Sequence, residues 1–78
     1  MIICTLSSLS DGQTAVVDRI DLNDLFFNRL NDLGIYSGSA LCRCYAAPSG
    51  SPIAFSVKQS LISLRRKDCD HIYVRLEK

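Results

Sequence analysis

The segment from Arg29 to Gly38, RLNDLGIYSG, constrains the fold most, because it is typical of a helix that ends and hands the chain to a strand. Leu30 and Leu33 lie three residues apart and therefore share one face of a helix. Gly34 follows at the position where helices often end in a left-handed residue, a conformation that glycine adopts without a Cβ penalty. The segment predicts that a helix ends at Gly34 and that a strand begins after Gly38.

The residues before this segment predict an amphipathic helix. Asp21 or Asn23 can cap its start, because a short side-chain oxygen accepts hydrogen bonds from the free N–H groups of the first turn. Phe27 lies off the apolar face and is expected to be partly exposed. Apolar residues at helical spacing predict a stripe that faces the core, formed by Leu22, Leu25, Phe26, Leu30 and Leu33.

Elsewhere the apolar pattern has a period of two, which is typical of strands. Residues 53–58 and 72–77 alternate cleanly. In residues 40–46 the small side chains, rather than Leu41, are expected to face the interior. Strands are predicted at residues 14–20, 40–46, 53–58, 61–64 and 72–77, with a tight connection at 58–60 and a helical turn at 65–70.

The predicted fold class is mainly β: a small five-stranded barrel with one helix between the first two strands and a short helical turn before the last. The 78 residues, of which 47% are hydrophobic and 22% charged, are expected to form one folded domain. Curling a single sheet into a barrel would remove its edges and enclose the core.

Charge and hydropathy bear on location and partners. No apolar run approaches the roughly 20 residues of a membrane span, and the N-terminus lacks a secretion signal, so a cytoplasmic protein is expected. Residues 1–34 hold five acids and two bases, a charge of −3, whereas residues 35–78 hold seven bases and three acids, a charge of +4. Such a distribution can orient a docking partner, or can simply reflect two differently solvated faces.

An ordered set of motifs runs through the chain: RLxDLGIxxGxxL at 29–41, APxGxPI at 47–53 and SLR at 63–65. From Leu6 to about Val74 the chain thereby resembles the FeoA family, small cytoplasmic partners of the bacterial ferrous iron transporter. The resemblance implies an SH3-like barrel. Three turn positions depart from the family pattern: Ser37 replaces a frequent proline, Ser49 a common leucine and Gln59 a frequent glycine.

The resemblance also implies a non-enzymatic function without a cofactor. The protein would dock on the cytoplasmic part of FeoB, a GTP-dependent iron transporter, which would hold it at the inner face of the plasma membrane. The expected surface joins the turn at residues 47–52 to the helix end, and Ser49 removes one apolar anchor from it. The candidate partner-binding residues are Leu33, Ile35, Tyr36, Pro48, Ser49, Gly50, Pro52 and Arg65.

Alternative functions rest on other residues. A metal-sensing or thiol-based module would use Cys42, Cys44, Cys69 and His71, although these donors lack the C-x2-C spacing of a zinc knuckle. Cys69 stands where the family usually has alanine, which favours a buried residue. The four cysteines are expected to be free thiols.

A nucleic-acid-binding barrel would use Arg65, Arg66 and Lys67, but no aromatic residues interleave with these bases to stack on nucleobases. The SH3-like domain of iron-dependent repressors is a further alternative, and the absence of a DNA-binding helix pair argues against it. His71 is the only histidine, which makes an imidazole-based catalytic site improbable.

Overall fold

A computed structural model describes residues 2–76, which form six strands, two helices and one 3₁₀ turn. All paired strands are antiparallel, and they make one sheet. In chain order the elements are β1 (Ile2–Thr5), the 3₁₀ turn Leu6–Ser8, β2 (Thr14–Ile20), α1 (Asp24–Asp32), β3 (Ala40–Ala46), β4 (Ile53–Val57), β5 (Ser60–Leu64), α2 (Arg66–Cys69) and β6 (Ile72–Leu76). The strand order in the sheet is β1-β6-β2-β3-β4-β5.

The mainly β, SH3-like fold class is confirmed, with one strand more than the predicted five. The additional strand is β1, which pairs with β6 so that Ile2 lies opposite Leu76 and Thr5 opposite Tyr73. Four residues are too few to display a period, and the pairing partner lies at the other end of the chain. Within residues 2–76 the sheet order ends at β1 and β5. The expectation that curling removes every edge was therefore wrong, because each of these strands keeps one unpaired side.

The predicted inward faces of β4 and β6 are confirmed. Ile53, Phe55 and Val57 are buried, as are Ile72 and Val74. They join a core contributed by five of the six strands (all but β1), by one residue each of α1, α2 and the 3₁₀ turn, and by the loops. The other members are Leu6, Leu9, Ala15, Val17, Leu30, Ile35, Leu41, Ile62, Leu64 and Cys69.

The prediction for β3 was wrong for the first part of the strand, because Leu41 is the buried residue whereas Ala40 is exposed and Cys42 is only half-buried. The register between β3 and β4 then shifts between Arg43 and Tyr45. Such a bulge reverses which face of the strand points inward. Ala46 consequently packs against the core although it lies an odd number of residues from Leu41.

The start of α1 follows the sequence prediction. Asn23 precedes the helix, and its side-chain Oδ1 accepts a hydrogen bond from the Phe26 amide at 3.0 Å. Asp24 occupies the first turn, where the positive end of the helix dipole favours an acid. The capping residue is thus Asn23 rather than Asp21.

The apolar stripe of α1 is narrower than predicted. Leu30 is buried, and Phe26 packs partly against the core, but Leu25 is 84% exposed and Leu33 is 42% exposed. Leu25 lies five residues from Leu30, which places it about 140° away around the helix. Leu33 directly follows the helix and lines an open groove beside the end of β5 and α2. The prediction that both leucines face the core was therefore wrong.

Helix α1 ends where the sequence predicted, just before Gly34. Gly34 has φ +94°, and its N–H donates to the carbonyl of Asn31 at 3.0 Å. The N–H of Ile35 donates to the carbonyl of Leu30 at 2.8 Å. These two bonds define a Schellman motif, in which the apolar residue after the glycine packs back on the helix. Ile35 and Leu30 are accordingly both buried in the core.

Candidate docking surface

A groove of about 410 Å³ separates α1 from the end of β5 and from α2. Its helical wall is mainly apolar, and its opposite wall carries polar and charged groups. The helix contributes Phe26, Arg29, Leu30 and Leu33, and the opposite wall contributes Ser63, Leu64, Arg65 and Asp68. A mixed lining of this kind suits a peptide segment better than a small apolar molecule.

Local structure fixes both ends of this groove. Leu33 is the C-cap residue directly after α1, held in place by the Schellman motif that ends the helix. Arg65 precedes α2 in an extended conformation, and its carbonyl accepts from the amides of Asp68 and Cys69 at 3.0 and 3.1 Å. The groove therefore joins two chain segments whose backbones are both defined by helix ends.

The groove carries two arginines with unused hydrogen-bonding capacity. Within residues 2–76 the guanidinium groups of Arg29 and Arg65 form neither a hydrogen bond nor an ion pair. The ion pairs found within residues 2–76 lie outside the groove and join Arg43 to Asp11 at 2.9 Å and Arg75 to Asp18 at 3.5 Å. Asp68 is the acid in the lining. A ligand carboxylate would thus find two cationic donors at the groove.

The turn at residues 47–52 lies beside the start of α2. The amide of Gly50 donates to the carbonyl of Ala47 at 2.7 Å, and the hydroxyl of Ser49 donates to the carbonyl of Ser51 at 3.0 Å. The hydroxyl of Ser51 in turn accepts from the amide of Arg66 at 3.1 Å. Pro48, Ser49 and Pro52 are exposed on this turn and Gly50 is half-buried. The turn and Arg65 therefore form one continuous surface.

Tyr36 lies at the opposite end of β5, beside the turn that joins β4 to β5. Its hydroxyl accepts a hydrogen bond from the Lys58 ammonium, which also lies 4.4 Å from the ring centroid. Lys58 and Gln59 both have positive φ, +49° and +70°, so glycine would suit the position of Gln59. Tyr36 thus belongs to a different patch from the turn at residues 47–52.

The structure divides the predicted partner-binding residues into three groups. Leu33 and Arg65 line the groove together, and the predicted residues of the turn at 47–52 lie beside them. Tyr36 stands apart, and Ile35 is fully buried, so that its side chain supports the helix end from within.

Sequence reasoning missed Arg29, which lies one helical turn before Leu33 and could have been found from that spacing. It also missed Ser63 and Asp68, which carry no local signal because only the tertiary fold moves them next to α1.

The donors of the metal-binding alternative do not form a common site. Across residues 2–76, no three His, Cys, Asp or Glu side chains are grouped so that they could hold one ion. Cys42, Cys44, Cys69 and His71 all lie in this part of the chain. The four cysteines are free, as predicted. The four donors of that alternative are therefore not assembled into one site within residues 2–76.

Cys69 is an unreactive core residue. Its side chain is fully buried, and burial, followed by the neighbouring charges of Asp68 and Asp70, raises the pKa of the thiol to about 12. Arg43 and Arg66 oppose this shift only in part. Since the thiolate is the nucleophile and the metal ligand, this residue serves packing rather than chemistry.

No helix of residues 2–76 combines the length and the apolar character that crossing a bilayer demands.

Comparison with known proteins identifies relatives over nearly the whole chain. Residues 4–76 match the family model of the FeoA domain. The chain is 31% identical over 71 residues to the Fe(2+) transport protein A/Fe(2+) transporter FeoB fusion protein of Porphyromonas gingivalis. That match covers 91% of this chain and 8% of the fusion protein, so the chain spans only a small part of its relative.

Solved structures share the fold. The FeoA protein of Chlorobium tepidum superposes with a TM-score of 0.89 and 32% identity, over 92% of this chain and 69% of that one. Iron(II) transport protein A of Clostridium thermocellum gives a TM-score of 0.87 and 28% identity, over 92% and 44%. A manganese-dependent transcriptional repressor has a TM-score of 0.82 at 20% identity, over 92% of this chain and 40% of the repressor, a likeness of fold alone.

Proposed function

This chain belongs to the FeoA family, and from that premise we propose that it is a non-enzymatic accessory protein of ferrous iron uptake. Its partner in this proposal is a FeoB-type transporter, and the docking site is the cytoplasmic part of that transporter. The protein would then act at the inner face of the membrane without inserting into it.

The observation that carries this proposal is the Porphyromonas gingivalis relative, in which transport protein A and the transporter are fused. Fusion makes the encounter of two modules intramolecular and raises their effective concentration. Two modules kept in one polypeptide are expected to work together. In this proposal the FeoA domain meets the transporter through its own surface.

The groove and the adjoining turn are the surface that best supports such docking. Leu33 offers apolar contact, Arg29 and Arg65 offer charge, and the exposed prolines of the turn lose little entropy on binding. A surface this small is expected to bury less than about 1,200 Å², which is typical of weak, transient complexes. The proposed association is therefore reversible and suited to regulation.

A titration tests the proposal directly. Isotope-labelled protein is titrated with the isolated cytoplasmic part of the transporter and its amide chemical shifts are followed by NMR. A parallel binding measurement uses the whole transporter in lipid nanodiscs. Saturable shifts at the groove and turn are expected in the first titration. Binding only to the whole transporter would move the docking site to its membrane part, and no binding in either measurement would refute the accessory role.

The helix offers a matched pair of variants for this titration. Leu33→Ala removes an exposed leucine that lines the groove, whereas Leu25→Ala removes a more exposed leucine of α1 that lies outside it. The first is expected to weaken binding and the second to leave it unchanged. Equal effects would mean that the groove is not the contact surface.

A further inference from the structure

The unpaired side of β5 presents backbone groups that are ready to form another ladder. Val57 lies opposite Ser60, and the two residues between them form a tight turn with positive φ, so this closing pair is hydrogen-bonded. Pairs alternate along an antiparallel ladder between hydrogen-bonded and non-hydrogen-bonded types. Leu61 and Ser63 therefore belong to non-hydrogen-bonded pairs, and their N–H and C=O groups point away from β4.

This unpaired side lies next to the groove. Ser63, Leu64 and Arg65 line one wall, and Phe26, Leu30 and Leu33 of α1 line the other. A strand added beside β5 would direct alternate side chains towards α1, because successive side chains of a strand point to opposite faces. The free backbone groups would supply affinity, and the helical wall would select the side chains.

The exposed residues of this region favour a peptide of a particular composition. Leu33 is 42% exposed and Leu61 is 59% exposed, which provides apolar contact on the two sides of the added strand. Arg29 and Arg65 lie at the groove with their guanidinium groups unbonded within residues 2–76. The groove lining thus carries two arginines and one acid, Asp68. A segment with an apolar residue flanked by carboxylates is complementary to this surface.

We propose that β5 and α1 together bind an extended acidic segment of the partner, which adds to the sheet as a further strand at β5. The inference rests on the proposed function, since the partner is the cytoplasmic part of the transporter. It deepens that function by assigning the binding mode and the chemistry of the segment. Register is set by backbone bonds to Leu61 and Ser63, and the charged ends of the segment are held by Arg29 and Arg65.

Amide hydrogen exchange distinguishes strand addition from other modes of docking. The probe is the isolated cytoplasmic part of the transporter, added to isotope-labelled protein, with exchange read at single amides by NMR. The amides of Leu61 and Ser63 are expected to exchange at least about tenfold more slowly in the complex, because they gain ladder hydrogen bonds. The amide of Ile62 already bonds to β4 and serves as an internal control.

Charge-reversal variants test the proposed composition of the segment. Arg29→Glu and Arg65→Glu are each expected to weaken binding by about tenfold or more, since they place an acid against carboxylates. Lys67→Glu is the matched control. It changes the charge equally from an exposed position outside the groove lining, and is expected to change affinity by less than about threefold. The amide spectrum of each variant verifies that it is folded.

The possible outcomes separate this inference from the proposed function. Binding that slows exchange at Leu61 and Ser63 supports strand addition. Binding with unchanged exchange at both amides overturns it while the accessory role stands. Slower exchange that depends only on the concentration of the protein itself would identify a second copy as the occupant and also overturn it. Equal effects of Lys67→Glu and Arg65→Glu would refute the specific role of the groove arginines.

Discussion

Gly34 illustrates how a single residue sets the direction of the chain. A Cβ at this position would meet Lys58 Cδ and Val57 Cγ1 at 3.6 Å, an ordinary contact distance. Space is therefore available, and the requirement for glycine comes from φ +94° instead. The left-handed residue allows Ile35 to fold back on Leu30, and Leu33 remains at the mouth of the groove.

Arg43 holds loops in place and is not available to a ligand. Its guanidinium donates to the carbonyl of Leu9 at 2.6 Å and pairs with Asp11 at 2.9 Å. The side chain is 14% exposed. It therefore fastens the segment before β2 to β3 and does not belong to the cations at the groove.

Burial of Cys69 is expected to lower the stability of the protein at alkaline pH. Its pKa is about 12 in the folded protein against an ordinary value of 9.0. Below pH 9 the thiol is protonated in both states and contributes nothing to the pH dependence. Between about pH 9 and 12 only the unfolded state loses the proton, so the free energy of unfolding falls by at most about 1.4 kcal/mol per pH unit.

We predict that Cys69→Ala flattens this decline in stability. Urea denaturation of the parent and the variant at about pH 8 and pH 10 measures the difference, and titration of the other groups cancels in the comparison. Cys44→Ala, at a half-buried position, is expected to keep the parental slope. Identical slopes for the parent and Cys69→Ala would show that burial does not shift the Cys69 thiol.

At the scale of elements, α1 packs through very few side chains. Leu30 is 1% exposed and joins the core, whereas the other apolar residues of the helix are partly or largely exposed. The helix therefore rests on one buried anchor, its asparagine cap and its glycine end. This loose packing leaves the groove between α1 and β5.

Leu30, which is buried, and Leu25, which is largely exposed, allow a direct test of how α1 packs. Leu30→Ala is expected to lower the free energy of unfolding by about 2–5 kcal/mol, because it removes a buried side chain and leaves a cavity. Leu25→Ala, at 84% exposure, is expected to change it by less than about 0.5 kcal/mol. Chemical denaturation of both variants measures these changes, and similar values would contradict the packing of α1.

At the scale of the whole molecule, charge is divided along the sequence, −3 in residues 1–34 and +4 in residues 35–78. Because the groove lies between α1 and the β5–α2 segment, it lies where the two parts of the chain meet. Exposed charges act over about a Debye length and are screened by salt. Association with the transporter is therefore expected to be steered by charge and held by a small apolar patch.

We predict that binding of the cytoplasmic part of the transporter weakens steadily as salt is raised, and that Ser49→Leu tightens it. A leucine on this exposed turn adds at most about 1.5–3 kcal/mol if the partner buries it fully. The variant also loses the Ser49–Ser51 hydrogen bond, which is expected to lower the free energy of unfolding by about 1 kcal/mol. Calorimetry over a salt series measures both effects. Ser10→Leu, at an exposed serine before β2, is the control, and an equal gain there would indicate non-specific association.

The sequence by itself determined the features that depend on neighbouring residues. The cap at Asn23 and the helix end at Gly34 follow from the conformational preferences of single residues, and the turn at Lys58–Gln59 follows from its place between two predicted strands. The inward faces of β4 and β6 follow from a period of two. The ordered motifs from Arg29 to Arg65 were sufficient to recognise the family.

Only the tertiary structure decided which surfaces are buried and which residues meet. The pairing of β1 with β6 joins the two ends of the described chain, and the bulge in β3 exists only relative to β4. Leu25 and Leu33 are apolar at helical spacing, yet their exposure depends on which parts of the helix surface the rest of the chain covers. The groove likewise arises where α1 and β5 meet, more than 25 residues apart in sequence. Periodicity and capping are local properties, whereas the approach of distant segments depends on the packing of the whole chain.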